Sequence, residues 1–389
     1  MTQTFPIEAL KTKATPYYYY NTQLLKETLA AMKNAMRGHD NYFMHYAIKA
    51  NANPIVLKPI KEAGVGIDCV SGGEIDVALK AGFPANSIMF AGVGKADWEI
   101  ELGIDSGIRC FNVESIPELE VLNEIAQRKG KVADICLRIN PNVGAHTHAN
   151  ITTGLSENKF GIDMAHMLDV IHLAKTMSNV NLLGLHFHIG SQILDMGDFI
   201  ALCKRINELQ DLLDAQGIQV KIIDVGGGLG VDYDNPLENP IPAMKEFFAV
   251  YDQHLKLREG QELHFELGRA IVAQCGSLIT KVLYVKDNTN KKFAIVDAGF
   301  TELIRPALYG AHHKIINLTS NGPLDTYDVV GPICESSDTF DTNIQLNAAK
   351  RGDLLAILSA GAYGESMASC YNCRKLPKGY AAEDIMADR

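Results

Sequence analysis

Eight short apolar runs separated by stretches of helical periodicity constrain this chain more than any other feature. They are Tyr42–Ile48, Val65–Val70, Ser87–Ala91, Ile108–Val113, Ala133–Ile139, Leu182–His188, Val220–Val225 and Glu262–Phe265. A run that stays apolar on both faces reads as a strand buried on both faces. Strands of that kind alternating with helices require a parallel sheet, and eight such units are the count of a closed β/α barrel. The intervening helices carry their own punctuation. Ser71 with Glu74 and Ser115 with Glu118 have capping-box spacing, Gly82 and Gly130 stand at the stops, and Pro54 can open a helix. Leu24, Leu25, Leu29 and Met32 place another helix from Asn21.

After about Gly276 the rhythm changes to strand-like runs without long helices between them: Leu278–Val285, Lys292–Val296, Tyr327–Ile333 and Leu354–Leu358. This predicts an antiparallel β domain. Thr15-Pro16 and the aromatic run Tyr17 to Tyr20 read as a strand with no partner in the barrel count, so it is expected to join that sheet. The expected fold is therefore α/β: a parallel (β/α)8 barrel over residues 23–276, and a β domain from residues 1–22 and 277–389. The stretch Asn142 to Asp163 is too long and polar for a simple strand-to-helix turn and is a candidate lid on the active face.

The composition points to small-molecule chemistry. A net charge of −10 across 389 residues argues against nucleic acid or acidic membranes as partners, because a phosphate footprint needs clustered Lys and Arg. No apolar run is long enough to span a bilayer, and the N-terminus lacks a secretory pattern. Eight scattered cysteines suit reduced thiols and a cytoplasmic location. Cys370 and Cys373 form a lone Cys-x-x-Cys pair, which is weak evidence for a metal, and none is expected.

Residues that are unusual in a core gather at the C-terminal ends of the expected strands, where barrels build their active sites. Lys49 ends the first, Asp68 and Ser71 the second, Arg138 and Asn140 the fifth, His186 and His188 the sixth. Gly226, Gly227 and Gly228 end the seventh, and Glu266, Gly268 and Arg269 the eighth. Lys49 is either a snorkelling strand-end lysine or a desolvated amine with a lowered pKa, suited to a Schiff base. The glycines make either a tight turn or a phosphate cradle, to which Ser191 and Arg269 would add a hydroxyl and a charge. Glu266 either pairs with Arg269 or holds a proton on a pyridine nitrogen, and His188 would then stack on that ring. His186 and His188, two residues apart on one strand, remain possible metal ligands of a barrel hydrolase.

Taken together, Tyr46-Ala-Ile-Lys49-Ala-Asn51, Asp68-Cys-Val-Ser71-Gly-Gly-Glu74, Lys159-Phe-Gly161, His188-Ile-Gly-Ser191-Gln192, Gly226 to Gly230, Arg305-Pro-Ala-Leu-Tyr309, Cys334-Glu335-Ser336 and Gly361-Ala-Tyr363 resemble the barrel-type pyridoxal-phosphate decarboxylases. Asn140-Pro-Asn-Val143, Thr147-His148 and Thr153-Gly154 extend the likeness over nearly the whole chain. The resemblance implies pyridoxal 5′-phosphate bound to Lys49, with Asp68, His188, Ser191, Gly226, Gly227, Gly228, Glu266, Gly268, Arg269 and Tyr363 around it. It also implies Cys334 as proton donor, reaching the barrel of a second subunit, and hence a homodimer with shared sites. The likeness is strongest to the branch that decarboxylates meso-2,6-diaminopimelate to L-lysine. The distal end of that substrate is a zwitterion, which calls for a cation and an anion; Arg305 with Tyr309, Arg269, Tyr363 and Glu335 are the expected set. Leu267 stands where the family usually has proline, a change expected to relax the turn that carries Arg269. Another basic amino acid as substrate, or a non-catalytic carrier of the cofactor, are the competing readings.

Overall fold

The structure is a computed structural model and describes residues 5–144 and 159–387. After β1 (Tyr17–Tyr20), the strands β2 (Tyr42–Ala47), β3 (Gly66–Cys69), β4 (Ile88–Phe90), β5 (Cys110–Val113) and β6 (Ala133–Asn140) run in order. The two-residue β7 (Ile162–Asp163) pairs only with β6, and β8 (Val180–His186), β9 (Ile222–Asp224) and β10 (Glu262–Leu267) complete the set. All neighbours are parallel, and pairing of β5 with β6 and of β10 with β2 closes the barrel at eight strands. The expected barrel is thus observed, with strand limits that differ from the apolar runs by no more than two residues at either end.

Helices fill the gaps as the capping signals require. Asn21 caps Thr22–Ala35 by accepting the Leu24 N–H, and Asn53 caps Pro54–Glu62. Ser71 and Ser115 cap their helices through the N–H groups of Glu74 and Glu118. The return leg of each box lands one residue earlier than expected, on the N–H of Val70 (2.7 Å) and of Glu114 (2.8 Å). Gly82 and Gly130 take the left-handed backbone that stops a helix, with φ of 83° and 62°.

Side-chain alternation splits each barrel strand between two cores. In β10, Leu263, Phe265 and Leu267 face the helices, where Phe265 lies against Phe248 and Tyr251. His264 and Glu266 belong to the opposite face, inside the barrel. The lower interior is closed by the separate cluster of Met89, Cys110, Cys136 and Ile222. Leu267 therefore packs into the outer core, fully buried, and leaves Glu266 and Arg269 on the side of the site.

The second sheet is built from β11 (Gly276–Asn288), β12 (Lys291–Val296), β13 (Ile315–Asn317), β14 (Leu324–Val330), β15 (Thr339–Asn347), β16 (Leu354–Ile357) and β17 (Lys378–Ala381). The tyrosine strand joins it as expected, antiparallel to β11, but also pairs in parallel with β17. The β12–β14 pair is parallel too, so the sheet is mixed rather than purely antiparallel. Most of the lid candidate, including Thr147, His148, Thr153 and Gly154, lies outside the described residues.

Candidate active site

A cavity of about 640 Å³ opens at the C-terminal mouth of the barrel. It is lined by Lys49, Asp68, His188, Ser191, Gly228, Glu266, Gly268, Arg269, Arg305, Tyr309 and Tyr363, and also by Arg138, His186 and Tyr233. Most of the residues singled out in the sequence are therefore brought together. Gly226 and Gly227 back the wall rather than line it.

Lys49 sits on a 3-10 turn, Ile48–Ala50, just beyond the end of β2. That turn is pinned from below. Ala50 O accepts the N–H of Tyr363 (2.8 Å), and Tyr46 Oη donates to Asn51 O (2.9 Å). The Asn51 amide donates to Gly361 O and to Tyr20 Oη, and Tyr20 in turn donates to the Glu365 carboxylate. The tyrosine strand thus does more than pair: it holds the backbone from which the lysine projects. Lys49 Nζ lies 3.8 Å from Asp68, with 41% of the side chain exposed to the cavity. The expected lowering of its pKa is not found. Burial acts in that direction, but the nearby groups Asp68, Tyr363, Glu266 and Glu74 outweigh it, so the amine is held up as an ammonium.

Beneath Lys49, alternate barrel strands supply Asp68 (β3), Asn112 (β5), His186 (β8) and Glu266 (β10), the way barrels stack side chains in layers of four. This layer is polar. Glu266 accepts from the Asn112 amide (3.2 Å) and meets His186 Nε2 at 3.0 Å; it makes no pair with Arg269. Burial opposes its charge, yet His186 and Lys49 hold it well below the usual carboxylate range. Burial and the Glu266 charge push both Asp68 and Asp224 up. Of the three, Glu266 is the carboxylate whose ionised form its neighbours favour most. Asp68 Oδ1, Asn112 Oδ1, His186 Nδ1 and Asp224 Oδ2 are buried with no hydrogen-bond partner. Among the described residues, His186, Asp224 and Glu266 come close enough to share a metal; His188 is not in that group. Burial, Arg138 and Lys49 instead keep the His188 imidazole neutral.

The triple glycine follows β9. A Cβ on Gly227 would stand 2.1 Å from Glu266 O, and one on Gly226 2.5 Å from Phe187 O, so only glycine lets the backbone approach this closely. Arg269 closes the same corner. It donates to Ser191 Oγ (3.1 Å) and Tyr233 Oη (2.7 Å), and lies 5.0 Å over the ring of Tyr363, a residue with φ of 56°. Arg305 donates to His313 Nε2 (2.7 Å) and packs 5.0 Å from the Tyr233 ring centre.

These parts fit a phosphate-bearing pyridine aldehyde: an amine, an ionised carboxylate below it, a neutral ring beside it and a glycine, hydroxyl and arginine corner for the phosphate. The model of the family described as pyridoxal-dependent decarboxylase, pyridoxal binding domain, matches residues 22–273. The chain belongs to the pyridoxal-dependent decarboxylases. Its relatives in that family include a diaminopimelate decarboxylase of Bacteroides thetaiotaomicron, 64% identical over 98% of this chain and 99% of that protein. Another, from Aquifex aeolicus, is 41% identical over 94% of this chain and 86% of that protein. The crystal structure of diaminopimelate decarboxylase from Helicobacter pylori complexed with L-lysine superposes with a TM-score of 0.90, at 40% identity over 98% of both chains. As a pyridoxal-dependent decarboxylase the chain uses pyridoxal phosphate.

Two of the expected residues are absent from the cavity of their own chain. Cys334 is exposed, and Glu335, also exposed, bonds Tyr371 Oη (2.6 Å) rather than Arg305. Others were missed in the sequence. Asn112, Tyr233 and His313 contact partners distant along the chain and stand in no spacing pattern. Arg138, a strand-end residue, lines the cavity with its charge paired to Glu114 at 2.9 Å.

Proposed function

We propose that this chain decarboxylates meso-2,6-diaminopimelate to L-lysine and carbon dioxide, the last step of lysine biosynthesis. Pyridoxal phosphate, when bound, supplies the electron sink for the bond broken at the reacting carbon. The chain's residues do the rest. Lys49 would hold the cofactor through its amine, with Asp68 beside it. Glu266, kept ionised by His186, would favour a proton on the pyridine nitrogen, and His188 would offer its neutral ring as a stacking face. Ser191, Arg269, Tyr363, Gly268 and Gly228 would grip the phosphate, while Gly226 and Gly227, whose N–H groups donate to Asp224 Oδ1 (2.8 Å) and His188 Nδ1 (3.3 Å), shape the turn behind it.

The observation that carries the substrate assignment is the pair Arg269 and Arg305. Both are buried in the cavity wall, and among the described residues neither has a carboxylate partner. Two uncancelled cations fit two anions, the phosphate and a distal carboxylate, with Tyr309 beside the second. A substrate with only a distal ammonium, such as ornithine, would leave Arg305 facing a like charge. Purified protein given diaminopimelate and pyridoxal phosphate should release lysine and carbon dioxide in equal amounts. Cofactor binding without lysine release would reject the proposal.

We further propose a cytoplasmic homodimer in which residues 23–276 form the cofactor unit and residues 1–22 and 277–389 the second unit. Exposed Cys334 and Glu335 support this, since neither reaches its own cavity. Cys334 of the partner subunit would then return a proton to the reacting carbon, and the partner's Glu335 would meet the distal ammonium. Mixing Lys49→Ala with Cys334→Ala protein tests it. Hybrid dimers with one intact shared site should recover activity that neither parent has, and no recovery would count against sharing.

A further inference from the structure

Arg305 is held by a neutral group, and the geometry leaves that group a single protonation state. His313 is fully buried, with Nδ1 2.9 Å from Leu358 O and Nε2 2.7 Å from Arg305 Nη1. A carbonyl oxygen only accepts, so Nδ1 bears the hydrogen. A guanidinium only donates, so Nε2 offers its lone pair. A second proton on the ring would set N–H against N–H. Burial and the Arg305 charge hold the imidazole well below its usual range, in agreement with that assignment.

The choice of a neutral acceptor has a consequence for anion binding. A carboxylate in the place of His313 would orient the guanidinium equally well, but it would cancel the charge that a bound anion needs. Imidazole fixes the fork and leaves the charge whole. Tyr233 repeats the device. Its hydroxyl takes Arg269 Nη1, its ring packs on Arg305, and His313 meets that ring edge-on at 5.0 Å and 77°. We infer that His313 is a specificity-determining positioning residue: through the Leu358 carbonyl it is locked as a neutral acceptor that aims an uncancelled Arg305 at the distal carboxylate of the substrate.

This rests on the proposed function, and L-lysine and cadaverine separate the two claims. Cadaverine is lysine without its carboxylate, so only lysine needs Arg305. Binding of each to the holoenzyme, read from the near-visible cofactor band, is compared for wild type, His313→Leu, His313→Gln and His313→Glu. His313→Leu should weaken lysine roughly tenfold or more, the scale of a lost charge-assisted hydrogen bond, and leave cadaverine within about twofold. For turnover, KM should rise more than kcat falls. His313→Gln, with a neutral carbonyl acceptor and an N–H donor, should restore most of the preference. His313→Glu, which can orient but also neutralises, should not.

Equal weakening of lysine and cadaverine, or a Glu variant as good as Gln, would overturn the inference. If wild type fails to turn over diaminopimelate yet still prefers lysine to cadaverine, the proposed reaction falls while the role of His313 is tested as before. A wild type with no preference for lysine would reject both.

Discussion

The two ends of the barrel use similar side chains to opposite effect. At the base, Glu262 gathers Arg109 (3.0 Å), Lys221 (2.8 Å) and His264 (3.3 Å), and His264 passes a second hydrogen bond to His45 (2.9 Å). Every charge there meets its opposite. At the mouth, Arg269 and Arg305 rest on neutral partners, and four buried polar atoms of Asp68, Asn112, His186 and Asp224 have none. A folded chain holds such groups unsatisfied at a cost of about 1–3 kcal/mol each. Six other buried polar atoms are unpaired elsewhere among the described residues, but these four gather around Glu266 beneath the cavity, where a ligand can complete them.

That contrast can be broken in stages. Lys49→Ala should cost the most, a loss of turnover on the order of 10⁴-fold or more together with the near-visible band of bound cofactor. Its melting temperature should stay within a few degrees of wild type, and a retained band would mean that another lysine carries the cofactor. Glu266→Gln should follow, with turnover down roughly 10²–10³-fold while the protein still binds cofactor. Unchanged turnover would put the ionised carboxylate elsewhere. Gly227→Ala tests the packing of the mouth itself, because its Cβ would have only 2.1 Å to Glu266 O. Urea unfolding should show a loss of about 1–3 kcal/mol as well as weaker cofactor binding.

The smallest effect belongs to the base. The hydrogen bond from His264, then Lys221 and Arg109, hold Glu262 down to about 2. A carboxylate whose pKa is lowered by folding contributes stability above its unfolded value, near 4.3. That contribution is lost as pH falls from about 4.3 toward 2. Glu262→Gln should therefore destabilise by ~1 kcal/mol at pH 7, after discounting for solvent screening, and match wild type near pH 2. Its turnover per folded molecule should be unchanged; a fall there would erase the distinction between the two ends.

The barrel was legible because parallel strands buried on both faces read as continuous apolar runs, and its site was legible because Lys49, His188, Gly226–Gly228 and Glu266 all follow such runs. What escaped depended on contacts across the fold. The charge of Lys49 is set by Asp68, Glu266 and Glu74, which come from other parts of the barrel, and no local pattern announces their sum. His313 gains its meaning from Leu358 and Arg305, and Tyr233 from two arginines. β13 and β15 went unread because both are edge strands, and β15 alternates threonine, aspartate and asparagine with its apolar residues. The parallel pairing of β17 with the tyrosine strand joins segments from opposite ends of the described chain, a distance at which sequence patterns are silent.

That last pairing also sets an order of assembly. The Lys49 turn is tied through Asn51 to Tyr20 and Gly361, and Tyr20 to Glu365, while the strand that contains Tyr20 lies between β11 and β17. A chain emerging from a ribosome has all eight barrel strands long before it has residues 361–381, and contacts so distant in sequence form late. Until residues 361–381 are in place, the Lys49 turn lacks its ties through Gly361, Glu365 and the strand pairing that holds Tyr20.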